Sequence, residues 1–89
     1  MIRDTYLKKH YGITVQDYNR MLRAQGGACA ICRAKPVNRR LNVDHDHVTQ
    51  RVRGLLCFRC NKFLIGRHRD PWLFEQAAKY LRRKKALGL

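Results

Sequence analysis

The chain has 89 residues, of which 45% are hydrophobic, so it has room for one small domain and is too apolar to be wholly disordered. Twenty Lys and Arg against six Asp and Glu give a formal charge of +14, which predicts a polyanionic partner, DNA or RNA. The composition also admits ribosomal RNA, an acidic membrane surface or a basic protein with no polyanionic partner. No apolar run approaches the roughly 20 residues of a membrane span, and no signal peptide is evident, so we expect a soluble, cytoplasmic protein.

One helix is predicted between Thr14 and Gly26-Gly27, after an N-terminal segment for which two interpretations are open. Residues 1–13 predict a short helix or an irregular arm. Thr14, with Asp17 three positions later, is typical of a capping box at a helix start, and Gly26-Gly27 predicts the helix end. The apolar residues between them recur at helical spacing and predict a core face: Val15, Tyr18, Met21 and Leu22.

The middle of the chain predicts two strands and a helix. Residues 41–43 form a short strand that leads into Asp44 and His45, and residues 51–56 form the returning strand, with a bend or bulge at Gly54. A short helix over residues 60–65 ends at Gly66. The fold class predicted is therefore α+β, built on a ββα unit with flanking N- and C-terminal helices.

A last, basic helix is predicted over about residues 71–85. Asp70 is suited to the N-cap and Pro71 to the first helical position. The apolar residues Phe74, Ala77, Ala78 and Leu81 lie on one face, and four basic residues, 82–85, load the last turn. With no internal repeat or long linker, residues 1–89 are interpreted as a single domain with its core at about 11–66.

Two C-x-x-C pairs frame the centre of the chain. Cys29 and Cys32 precede a turn, and Cys57 and Cys60 follow the returning strand, a spacing typical of one tetrahedral zinc ion held by four sulfurs. Two disulfides would require an oxidising compartment, and a redox dithiol is the other use of this motif. A four-sulfur site has no ligand position open to water, so this zinc is expected to be structural and the chemistry must lie elsewhere.

The run Asp44-His45-Asp46-His47 is the candidate for that chemistry. From Arg33 to Arg69 there are ten basic residues and only two carboxylates, and both carboxylates flank His45. Asp44 offers a hard oxygen ligand for Mg²⁺ or Mn²⁺, and a neutral His45 can accept a proton from water. A salt-bridged loop with a structural histidine is the alternative. Asn61 adds a carbonyl oxygen directly after a cysteine, although by itself it is better explained as a helix cap.

These motifs together resemble the phage recombination endonuclease VII family of HNH, or ββα-metal (His-Me finger), nucleases. The resemblance covers about residues 11–66 in one register. It rests on these runs: Ala24-Gln25-Gly26-Gly27-Ala28-Cys29-Ala30-Ile31-Cys32, Val43-Asp44-His45-Asp46-His47, Val52-Arg53-Gly54-Leu55-Leu56-Cys57 and Cys60-Asn61.

The resemblance implies a metal-dependent endonuclease that leaves 5′-phosphate and 3′-hydroxyl ends. Asp44 and Asn61 would hold one Mg²⁺ or Mn²⁺, His45 would activate water, and His47 would support the site. The junction-resolving member has a carboxylate where this chain has Leu64 and an intertwining helical region without counterpart here. The expected reaction is therefore nicking or double-strand cleavage of ordinary duplex DNA with weak sequence specificity.

Six basic residues are candidates for contacts with the DNA backbone: Arg51, Arg53, Arg59, Lys62, Arg67 and Arg69. His68 is interpreted as a phosphate contact or an exposed loop residue, with completion of the catalytic site as the alternative. The sequence leaves open whether the protein is a monomer or a homodimer, and the family implies a phage terminase as a possible partner. The alternative function is a non-catalytic zinc module that binds DNA or RNA, with a ribosome-associated zinc ribbon as a third.

Overall fold

A computed structural model describes residues 2–83 and shows a small α+β fold. Its elements in chain order are α1 (Asp4–Tyr11), α2 (Val15–Ala24), β1 (Asn42–His45), β2 (Val52–Leu56), a π-helix (Cys60–Ile65) and α3 (Pro71–Leu81). The predicted basic residues Lys84 and Lys85 lie outside the described residues. The α+β class predicted from the sequence is confirmed.

The N-terminal segment forms a helix rather than an irregular arm, and its start is tied to the start of the next helix. The backbone N–H of Val15 donates to the Asp4 carboxylate at 2.7 Å. The predicted capping box is present: Thr14 Oγ1 accepts from the Asp17 N–H at 3.0 Å, while Asp17 Oδ2 accepts from the Thr14 N–H at 2.9 Å. After α2, Gly26 and Gly27 take positive φ angles of 68° and 74° and turn the chain toward Cys29.

One small core lies between α1, α2 and the sheet. Leu7, Leu41 and Leu55 are almost fully buried, and Leu7 lies before the predicted core of residues 11–66. Tyr18 of the predicted apolar stripe is buried and donates its hydroxyl to the Leu41 carbonyl at 2.6 Å. The other stripe residues pack partly buried against this core: Val15, Met21 and Leu22.

The two strands pair antiparallel, with an irregularity in register beside the candidate site. Asp44 lies opposite Gly54, but His45 lies opposite Val52, so Arg53 is an extra residue on β2. The sequence predicts a bend or bulge at Gly54, and the extra residue is its neighbour. A bulge re-aims the side chain that it carries, and here it brings Arg53 against Asp44.

The predicted helix after the second cysteine pair is a π-helix. Its Cys60 is buried, and Ile65 packs against the core, so both ends are held. Gly66 follows with φ −65°, so a left-handed conformation is not the reason for glycine. A Cβ there would lie 2.5 Å from the Lys62 carbonyl oxygen and 2.7 Å from that of Asn61. The wide turn therefore leaves no room for a side chain at Gly66.

The C-terminal helix begins as predicted but contributes no buried residue. The Asp70 carboxylate accepts from the Trp72 N–H at 3.0 Å, and Pro71 occupies the first turn. On the predicted apolar face Phe74 and Ala78 are half-buried, whereas Ala77 and Leu81 are exposed. None of the helices within residues 2–83 combines the length and apolarity required to span a bilayer.

Candidate metal centre and active site

The four cysteine sulfurs converge on one point. All four Sγ atoms of Cys29, Cys32, Cys57 and Cys60 lie within 4.8 Å of one another, and those of Cys32 and Cys57 are 3.7 Å apart. A Zn–S bond of about 2.3 Å places tetrahedral sulfurs roughly 3.8 Å apart. The four cysteines are unpaired thiols rather than disulfides. The arrangement therefore fits a structural metal ion such as zinc.

Backbone hydrogen bonds and burial give Cys29 and Cys60 different pKa values. Burial opposes ionisation of Cys29, but N–H groups of Cys57, Cys32 and Ile31 donate to its sulfur and lower its pKa to about 6. Burial, followed by hydrogen bonds with the other three sulfurs, raises the pKa of Cys60 to about 12. A metal ion that binds all four sulfurs must displace the remaining protons, so its affinity falls in acid.

The side chain of Gln25 connects the first cysteine turn to β2. Its amide nitrogen donates to the carbonyls of Ala28 and Leu55, both at 2.9 Å, and its Oε1 accepts from the Leu55 N–H at 2.9 Å. The Ala30 N–H also donates to the Leu55 carbonyl at 3.1 Å. No role for Gln25 is predicted from the sequence, although it lies between a helix end and a metal-binding turn, in the run Ala24–Cys32 that carries the family resemblance.

Arg33 secures the other side of the same turn. Its guanidinium donates to the Gln25 carbonyl at 2.7 Å, and its backbone N–H donates to the Cys29 carbonyl at 3.1 Å. Arg33 itself has φ +67°, in the left-handed region that non-glycine residues rarely adopt. The first cysteine turn is therefore stabilised by local contacts of Arg33 as well as by its contacts with β2.

Asp44 lies on β1 and is 8% exposed, which makes it the one buried acid among the described residues. Arg53 binds it with two hydrogen bonds: Nε to Oδ2 at 2.8 Å and Nη2 to Oδ1 at 3.1 Å. The hydrogen bond to Asp44 raises the pKa of Arg53, with its burial opposing the shift. The sequence predicts a phosphate contact for Arg53 and leaves a salt bridge of the Asp-His run as the alternative; the structure shows that salt bridge, with Arg53 as the partner of Asp44.

His45 ends β1, half-buried between two aromatic rings. Its centroid lies 5.6 Å from that of Tyr11 and 4.6 Å from that of His47. His47 is exposed in the loop that follows β1. The structure therefore brings the two predicted histidines together, and it adds Tyr11, which the sequence analysis did not single out.

Asp46, the second acid of the run, holds the hairpin loop. Its Oδ1 accepts from the backbone N–H groups of Val48 at 2.7 Å and Thr49 at 3.0 Å. Those bonds, from Thr49 first and then Val48, lower the pKa of Asp46. Its backbone N–H donates to the Arg51 carbonyl at 2.8 Å, which closes the loop. The two carboxylates that flank His45 thus have different partners and different roles.

Asn61 is half-buried on the π-helix, directly after a buried cysteine. Its backbone N–H donates to the Cys57 carbonyl at 2.9 Å, so the cysteine turn fixes its position. The predicted backbone-contact residues and His68 are all exposed, including Arg51, Arg59, Lys62, Arg67 and Arg69.

The family model for recombination endonuclease VII matches residues 4–83, nearly the whole chain. The chain belongs to the recombination endonuclease VII family. It is 45% identical over 86 residues to the Gene 59 protein of Mycobacterium phage D29, covering 94% of this chain and 52% of that protein. It is 48% identical over 80 residues to the Gene 59 protein of Mycobacterium phage L5, covering 88% of this chain and 49% of that protein.

The chain spans about half the length of the curated relatives that it matches. No solved structure matches it. The family predicted from the sequence is confirmed, and the match extends past the predicted core into α1 and α3.

We predict that Cys57→Ser removes the metal and destabilises the domain by roughly 3 kcal/mol or more, because structural zinc binding is coupled to folding. Zinc content by mass spectrometry and thermal unfolding by circular dichroism measure the two effects. Ala30→Ser places a hydroxyl at an exposed position on the other cysteine turn, between Cys29 and Cys32, and should retain one zinc per chain. A zinc-free Cys57→Ser protein with an unchanged melting temperature would contradict a structural role.

We predict that Gln25→Ala lowers the free energy of unfolding by about 2 kcal/mol, because it removes three hydrogen bonds and leaves the Leu55 N–H without its side-chain acceptor. It should also speed zinc release to a chromogenic chelator, since the cysteine turn loses its tie to β2. Gln16→Ala, an exposed change on α2, is the matched control. Equal stability of the two variants would refute this role.

We predict that Arg53→Met lowers the free energy of unfolding by about 1–2 kcal/mol, because buried Asp44 loses its partner; the half-exposed guanidinium limits the effect. Arg51→Met replaces an exposed arginine two residues earlier in the chain. It should change the free energy of unfolding by less than about 0.5 kcal/mol. Urea titration measures both. A stability loss that is the same in both variants would show that general charge, not the Asp44 pair, is responsible.

Proposed function

We propose that this protein is a metal-dependent DNA endonuclease of the HNH, ββα-metal type. It would hydrolyse phosphodiester bonds, by nicking or double-strand cleavage, to 5′-phosphate and 3′-hydroxyl ends. The observation that carries the proposal is the buried Asp44 beside half-buried His45 at the end of β1, in a chain of the recombination endonuclease VII family.

The four-sulfur centre supports the fold and leaves the chemistry to other ligands. Its donors are all sulfur and fill a tetrahedral ion, so no position remains for water or phosphate. Hydrolysis of a phosphodiester requires a nucleophile and stabilisation of charge on the phosphoryl and leaving oxygens. The imidazole of His45 is suited to activate the nucleophile. The side-chain oxygens of Asp44 and Asn61 are suited to hold an ion that stabilises the charge.

His45 is proposed to be the general base. An imidazole can be neutral near pH 7 and can take a proton from the attacking water. The rings of Tyr11 and His47 lie on its sides and restrict the orientations that it can adopt. His47 is exposed at the start of the loop and is proposed to contact an incoming phosphate.

Asp44 and Asn61 are proposed to hold the catalytic ion. A carboxylate and an amide carbonyl are hard oxygen donors, which fit Mg²⁺ or Mn²⁺ rather than zinc. When bound, such an ion stabilises negative charge on the scissile phosphate and the departing 3′ oxygen. Both Asp44 oxygens accept from Arg53, and each oxygen keeps a second lone pair with which the carboxylate could bind the ion.

The charge of the chain supports DNA as the substrate. A formal charge of +14 attracts a polyanion regardless of sequence, and exposed arginines and lysines are suited to phosphates. Arg51, Arg59, Lys62, Arg67 and Arg69 remain the proposed backbone contacts. Contacts of this kind carry no base information, which favours weak sequence preference.

A non-catalytic zinc module that binds nucleic acid is the second candidate. It would use the same charge and the same cysteine centre without hydrolysis. The bidentate ion pair between Asp44 and Arg53 favours it, because both carboxylate oxygens then have a structural use. Metal-dependent cleavage separates the two candidates.

We predict that the zinc-loaded protein nicks supercoiled plasmid when Mg²⁺ or Mn²⁺ is added, and that His45→Ala lowers the rate about 100-fold or more, since it removes the base. Asp44→Asn should abolish the response to the added ion while leaving the zinc content unchanged. Gel analysis of plasmid forms against time measures the rate, and circular dichroism confirms folding.

His10→Ala is the matched histidine control, because His10 is exposed on α1 and has no proposed role in catalysis. It should cut at the wild-type rate. Plasmid binding without metal-dependent nicking would support the non-catalytic module, and unimpaired cutting by His45→Ala would exclude His45 as the base.

A further inference from the structure

Two phenylalanines form an exposed aromatic pair next to the metal centre. Phe58 and Phe63 lie in edge-to-face contact, with ring centroids 5.8 Å apart. They are 36% and 47% exposed, and the neighbouring Leu64 is 36% exposed. Burying such rings would be favourable, so contiguous exposed apolar surface of this kind marks an interaction site.

Basic side chains lie over both rings. The Arg39 guanidinium is 4.5 Å from the Phe58 centroid, and the Arg67 guanidinium is 5.3 Å from that of Phe63. The Lys62 ammonium lies 5.3 Å from the first ring and 5.7 Å from the second. These side chains are long and exposed, so they can leave the ring faces for a nearby anion at little cost.

The pair borders a groove of about 680 Å³ that runs along the second cysteine turn. Its lining combines apolar residues with Lys35, Arg39, Arg40 and Arg59. None of the described residues that line it is acidic. The groove therefore offers aromatic faces and positive charge on the same surface.

We propose that Phe58 and Phe63 form a stacking site for unpaired bases of a DNA strand, with Arg39, Lys62 and Arg67 contacting the adjacent phosphates. Neither Asp44 nor His45 lines this groove, and as a DNA site it rests on the proposed function. Aromatic faces stack with any base, and the basic side chains follow the backbone, which is the combination that single strands require.

The chemistry of the groove favours a nucleic acid over a protein partner. A protein helix would cover the apolar rings but would leave the basic side chains unmatched unless it were acidic. A paired duplex offers phosphates but keeps its base faces stacked and out of reach. An unpaired strand presents base faces and phosphates together, so it satisfies the rings and the cations at once.

The test is binding of a short single-stranded oligodeoxynucleotide that contains 2-aminopurine, whose fluorescence falls when it stacks. The zinc-loaded protein is used without added Mg²⁺ or Mn²⁺. We expect quenching with the wild type, loss of quenching in Phe58→Ala and Phe63→Ala, and single-strand affinity about 10-fold weaker in each. Affinity for the matching duplex should change less than about 2-fold.

Two further variants keep the result interpretable. Phe63→Leu retains an apolar side chain without a π-face and should lose quenching while melting at the wild-type temperature. Tyr80→Ala is the matched control, because Tyr80 is an exposed aromatic on α3 with Arg83 5.5 Å from its ring, away from the groove. It should bind and quench as the wild type does.

Several outcomes would overturn the proposal. These are retained quenching in Phe63→Leu, equal losses in Tyr80→Ala, or equal losses of single-strand and duplex affinity in the phenylalanine variants. A change of oligomeric state in Phe58→Ala by sedimentation would instead assign the surface to contact between copies. Binding is measured without cleavage, so the two proposals can fail separately. Normal His45-dependent nicking together with no base stacking would refute the stacking site and leave the proposed nuclease function intact.

Discussion

The convergence of four cysteine sulfurs on one point is the constraint on which the rest of the structure depends. The apolar core is small, and the two cysteine pairs come from segments far apart in the chain. Small domains of this kind commonly need a metal or disulfide to be stable. Here the centre joins the turn after α2 to the end of β2 and to the start of the π-helix.

The metal centre and the candidate active site share the two-stranded sheet. Gln25 ties the first cysteine turn to Leu55 on β2, and the bulge two residues earlier on the same strand directs Arg53 to Asp44 on β1. A displacement of the first cysteine turn would therefore shift β2 and, through Arg53, the contacts of Asp44. This coupling would let a closed sulfur site position the residues that we propose for catalysis, Asp44 and His45.

The basic residues of the chain divide into groups with different physical roles. Arg53 neutralises a buried carboxylate, Arg33 secures a turn, and Arg39, Lys62 and Arg67 lie over aromatic rings. Net charge alone would assign all of them to DNA. Their contacts show that part of the positive charge stabilises the fold, and that part of it surrounds an exposed aromatic surface.

The sequence by itself determined the features that depend on local chemistry: the capping box at Thr14, the Asp70-Pro71 helix start, the two strands, the cysteine spacing and the family. Each is decided by residues close together in the chain or by a fixed spacing. Only the tertiary structure decided the partners of Gln25, of Asp44 and of His45, and the exposure of α3. These depend on where the bulge and the turns bring distant segments together, and no local pattern encodes that placement.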